Sequence, residues 1–156
     1  FKAELGFEYL SGKDQNDTDT KVKSFTPLFG TNHGFNGLMD YFYVGNHKNS
    51  VGLQDFYTKF IYDKNKWQVT LSPHLFYSAA SVYNMTTLEE QDSYLGTEID
   101  LTATYKLDKN FVITGGVSKM FASDTMEVLK GGNNSNGNNW AWVMISFNPQ
   151  LFTYKK

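Results

Sequence analysis

The chain has 156 residues, a formal net charge of −2 and no cysteine, which suits one domain and excludes a disulfide framework or thiol chemistry. All 14 basic residues are lysines. The chain therefore has neither the arginine forks that read nucleic acid and clamp phosphates nor a net charge that would steer it to polyanions.

Residues 2–11 alternate, with Ala3, Leu5, Phe7 and Tyr9 on one face and Lys2, Glu4, Gly6 and Glu8 on the other, which predicts a half-polar strand. Residues 12–23 are polar and acidic and read as a solvated loop. The stretch 25–46 is rich in aromatics but has neither a period of two nor a helical stripe long enough for a core helix. Glycines at 30, 34, 37 and 45 and a proline at 27 interrupt it, so it reads as a folded loop with one helical turn near 38–42. A loop this long is expected to be a lid or a binding loop.

A second strand is expected over 51–62, with Phe56, Phe60 and Tyr62 opposing Asp55, Tyr57 and Lys59. After a tight turn at 63–66, residues 67–79 alternate Trp67, Val69, Leu71, Pro73, Leu75 and Tyr77 against Gln68, Thr70, Ser72, His74, Phe76 and Ser78. Pro73 marks that strand as an edge or the site of a bulge. A polar loop at 80–93 leads to the most regular strand, 94–107. There Leu95, Ile99, Leu101, Ala103, Tyr105 and Leu107 face one way and Glu98, Asp100, Thr102, Thr104 and Lys106 the other. A short turn at 108–110 precedes a strand at 111–122. Residues 123–139 read as a flexible connection, and 140–149 as the last strand.

The connections alternate long and short: 12–50, 63–66, 80–93, 108–110 and 123–139, with Asp-Lys-Asn in both short turns. Outer-membrane barrels show this asymmetry, with short periplasmic turns and long extracellular loops. Strands of about ten to fourteen residues also suit a tilted crossing better than the usual soluble sheet. An aromatic share of 17% is high for a soluble sandwich and fits the interface girdles of a barrel. No run reaches the apolar length of a membrane helix.

The run Phe29-Gly30-Thr31-Asn32-His33-Gly34-Phe35-Asn36-Gly37, then Met39-Asp40-Tyr41-Phe42 and Gly52-Leu53-Gln54-Asp55, resembles the C-terminal part of the alginate export family, in its Bacteroidetes form. The likeness covers some thirty residues; elsewhere only the strand pattern agrees. It implies an outer-membrane β-barrel porin of which these would be the C-terminal strands. It also implies an anionic polysaccharide as cargo in an arginine-rich conduit. The lack of arginine departs from that pattern and leaves the solute open.

The expected fold is therefore all-β: residues 1–156 form an antiparallel transmembrane β-barrel domain or the C-terminal part of one, and 12–50 form a constriction or lid. Six strands are fewer than a single-chain barrel needs. Either the chain is a fragment that begins at Phe1 and is completed by further strands, or 21–29 and 38–44 are strands too and it closes alone. The expected partners are outer-membrane lipid, a hydrophilic solute and the remaining strands, with no nucleic acid. The expected function is passive passage of that solute across the bacterial outer membrane. His33, Asp40, Asp55, Lys59, His74, Glu98, Asp100 and Lys106 would lie along its path, the charged ones lining water.

Two other classes compete. A small non-conducting barrel could act as adhesin or scaffold through its loops, and a soluble sandwich uses the same alternation. Catalysis is not expected: Ser72 and His74 stand about 7 Å apart on one strand face, and no nucleophile-elbow sequence is present. No cofactor or metal is expected either. The three histidines are dispersed, and the acidic run 14–19 lacks the glycine and glutamate of a calcium loop.

Overall fold

The computed structural model describes residues 1–43, 47 and 50–154. Its order is β1 (Lys2–Leu10), β2 (Leu53–Lys64), β3 (Trp67–Tyr77), β4 (Tyr94–Lys106), β5 (Phe111–Ala122), α1 (Asp124–Lys130) and β6 (Asn138–Phe147). The strands form one six-stranded antiparallel meander in which each pairs only with its neighbours in sequence. Among the described residues the sheet is open, with β1 and β6 as its edges. Neither 21–29 nor 38–43 enters it, and 38–42 turns without forming a helix. The other positions on which the 12–50 expectation falls, Val44, Gly45, Asn46, Lys48 and Asn49, lie outside the described residues.

A meander puts successive connections at opposite ends. The three long connections therefore share one end and the two Asp-Lys-Asn turns share the other, as the spacing predicts. The β2–β3 turn is a two-residue hairpin, since Lys64 pairs with Trp67, and Asn65 takes the left-handed φ of 58° that such a turn needs. Two of the long connections, 12–50 and 80–93, are tied together as a rim: Gln15 N–H donates to Ser81 O, Ser81 N–H to Asp14, and Tyr83 N–H to Gln15.

Three local expectations need correction. Pro73 lies in a central strand, neither at an edge nor at a bulge. It costs the β2–β3 ladder its pairs at 58 and 59, but the register is the same on both sides, Tyr57 with His74 and Phe60 with Leu71. The bulge is in β4 instead: Phe76 pairs with Gly96 and Tyr77 with Tyr94, so Leu95 is the extra residue, and Gly96 takes a φ of +149°. This flips Leu95 off the face of Ile99 and Leu101 and into the core. Finally, the 123–139 connection contains α1. Ser123 caps it by accepting from Met126 N–H at 3.2 Å while donating to Tyr94 O at 2.6 Å.

The sheet has two unlike faces. The outer one exposes Leu5, Phe7, Phe56, Phe60, Leu71, Leu75, Ile99, Leu101, Val117, Phe121, Val143 and Ile145, with Leu5 at 87% and Val143 at 76% exposure. The inner one carries Glu4, Glu8, Asp55, Lys59, His74, Glu98, Asp100 and Lys106 in register across four strands. The buried apolar cluster is small and sits at the long-loop end: Leu10, Phe42, Leu53, Phe76, Leu95, Met120 and Met126. It is enclosed by the inner face, the 39–42 segment and α1.

Candidate constriction on the inner face

The 24–43 segment crosses the inner face and returns. Ser24 and Phe25 are fixed at the β1–β2 side, where Ser24 Oγ donates to Ser50 O at 2.5 Å and Phe25 N–H to Ser11 O at 3.0 Å. At the far side His33 stacks on Trp140 of β6, ring centroids 4.5 Å apart. The chain then doubles back through three left-handed non-glycine residues, His33 (φ 53°), Asn36 (φ 55°) and Asp40 (φ 59°). Short polar side chains that hydrogen-bond locally tolerate this region best. Here Asp40 accepts His33 N–H at 2.7 Å and lies 3.1 Å from its Nδ1.

The returning strand of this loop meets the sheet through carboxylates. Glu8 and Asp55 are directly opposite on β1 and β2, an arrangement that is unfavourable for two like charges. The Asn36 amide lies against both, at 2.5 Å from Glu8 Oε2 and 3.4 Å from Asp55 Oδ2. Glu98 Oε1 accepts from Leu38 N–H at 2.6 Å and Met39 N–H at 2.9 Å. Gly37 makes that approach possible: with a φ of +81°, its absent Cβ would stand 2.5 Å from Glu98 Oε1. Tyr41 OH bonds the Asn138 amide, and Phe42 packs on Phe76 at 4.8 Å.

Beneath the loop the strands complete a polar cluster. His74 Nδ1 lies 3.0 Å from each Asp55 oxygen, and its ring is stacked by Tyr57 at 5.3 Å and Phe76 at 5.6 Å. His74 Nε2 is 3.9 Å from Asp100 Oδ2, and Ser118 Oγ donates to Asp100 Oδ1 at 2.5 Å. Glu98, Asp55 and Asp100 are 0%, 1% and 2% exposed.

Asp55, His74, Glu98 and Asp100, four of the eight residues expected along the solute path, thus form one cluster. His33 and Asp40 pair with each other in the loop above it. Lys59 lies further down β2, opposite Glu4 and 5.4 Å over the Tyr57 ring, while Lys106 ends β4 at the short-turn end. The expectation that the inner carboxylates line water needs correction here, because the loop seals this group. Glu8, which strand parity expects among the inward-facing charges, also builds the site, as do Asn36, Gly37, Ser118 and Trp140, which are not among the expected site residues. Strand parity reaches Ser118, and the Asn-Gly dipeptide flags a left-handed turn at 36–37, but neither says what the turn would touch.

Among the described residues no three His, Asp or Glu side chains converge closely enough to hold a metal ion, and no helix is long and apolar enough to cross a membrane. Comparison with protein-family models, curated proteins and solved structures finds no match to this chain.

Proposed function

We propose that this chain supplies wall strands of an outer-membrane β-barrel through which a hydrophilic solute diffuses, and that residues 25–43 fold inward as its constriction. The observation that carries the reading is the opposition of the two faces. A sheet whose apolar face is exposed along every strand, while the charged cluster at the long-loop end of its other face is buried under its own loop, is the reverse of a soluble sandwich. It suits a sheet with hydrocarbon outside and polar groups inside. The strand lengths support it. The eleven to thirteen residues of β2–β5, at about 3.3 Å each and tilted near 45°, rise about 26–30 Å, the thickness of a hydrocarbon core. The alginate-export resemblance supports it as well, and its motif falls on the loop that crosses the inner face.

The test is conductance in planar bilayers. Replacing residues 29–43 by a short Gly/Ser linker should raise single-channel conductance and relax size exclusion, because it removes the segment that covers the inner face. Unchanged conductance would demote the loop to an external cap. The hydrogen-bonded rim of the long loops would then favour the other reading, a non-conducting barrel that binds a partner.

A further inference from the structure

We infer that the solute favoured at this constriction is cationic, an amine-bearing molecule or a small monovalent cation; the inference rests on the barrel reading above. Glu8, Asp55, Glu98 and Asp100 converge at the long-loop end of the inner face, and the one basic side chain paired with any of them among the described residues is His74. The lysines of the same face are displaced from this level: Lys59 is four residues along β2 from Asp55, and Lys106 is at the opposite end of β4. The site is built for donors. What the loop offers these carboxylates is the Asn36 amide and two backbone N–H groups, and every one is neutral.

An independent observation points the same way. Glu98 Oε2 is buried and accepts a hydrogen bond from no described residue, although its sister oxygen is doubly satisfied. A buried carboxylate oxygen without a donor is costly. When the loop lifts, an ammonium group would supply the same donors together with the charge that the loop cannot provide. Rings of aspartate and glutamate select cations in pores by this attraction, and low-dielectric walls focus it toward the mouth. Since the described acidic side chains do not converge closely enough to hold a metal ion, an amine would be recognised through hydrogen bonds and field, and a monovalent ion through the field alone.

The experiment is a reversal-potential measurement in planar bilayers across a KCl gradient, with spermine added from the long-loop side as a cationic probe. The wild-type protein should be cation-selective and blocked by spermine. Measured at alkaline pH, Glu98→Gln keeps the loop's acceptor but removes the ionisable carboxyl, and should lower the K⁺/Cl⁻ permeability ratio about threefold or more and weaken the block. Glu8→Gln, at the rim of the cluster, should act in the same direction and covers the case in which Glu98→Gln fails to fold. A channel that conducts without cation preference, or whose preference ignores both substitutions, would overturn the inference and leave the porin reading standing. A protein that inserts but never conducts would remove both.

Discussion

Glu8 and Asp55 stand directly opposite each other on β1 and β2, and the side-chain amide of Asn36, from a loop between those strands, is hydrogen-bonded to both. Two facing carboxylates would otherwise repel across the ladder, so the loop completes the sheet chemically as well as covering it. Asn36→Ala should cost about 1–3 kcal/mol, the range for losing hydrogen bonds to charged groups. The loss should show as faster hydrogen exchange at the Leu38 and Met39 amides. Unaltered exchange there would mean that the loop is held by its apolar contacts alone.

Gly37→Ala should undock the same segment by a different route. The residue must keep a φ of +81°, which costs an alanine about 1–2 kcal/mol, and its new Cβ would lie inside contact distance of both Glu98 oxygens. In bilayers this variant should show more frequent openings than Gly34→Ala. The Cβ of Gly34→Ala would meet only the Thr31 side-chain methyl at under 3 Å, and that methyl can rotate aside. Equal behaviour of the two variants would argue against a close Gly37–Glu98 contact.

Leu101→Lys and Thr102→Lys test which face meets lipid. The two residues are adjacent in β4 and point to opposite faces, Leu101 beside exposed Leu71 and Val117, Thr102 on the inner row of Asp100. A lysine near the bilayer midplane costs about 2–4 kcal/mol, so Leu101→Lys should fold poorly into lipid vesicles and Thr102→Lys should fold well. Asp100 is the wrong inner control, because it is buried between Ser118 and His74. Similar folding yields for the two lysine variants would count against the membrane assignment.

Ser123→Ala removes the cap of α1 and the tie from that cap to Tyr94. A loss of about 0.5–2 kcal/mol is expected from the cap, and it should appear as a lower unfolding midpoint in detergent. Since α1 contributes Met126 to the apolar cluster that holds Leu95, the change should also bring exposure of that end to limited proteolysis. An unshifted midpoint would show that α1 adds nothing to the stability of the sheet.

The sequence by itself determined the position and order of the six long strands, the end at which each connection lies and, Leu95 apart, which of their side chains share a face. These follow from a period of two, from turn chemistry and from connection length, all local properties of the chain. It also marked residues 25–46 as a loop with work to do. Only the tertiary structure decided what that loop touches. The bonds from Asn36 to Glu8 and Asp55 and from Leu38 and Met39 to Glu98 span 19 to 60 residues, and no periodicity encodes a contact at that distance. The same reason explains Leu95, whose face was set by a bulge at the mouth of β4. It also explains the sealed carboxylates. Alternation places a charge on the polar face of a strand, but whether water or a folded loop covers that face depends on where a distant segment comes to rest.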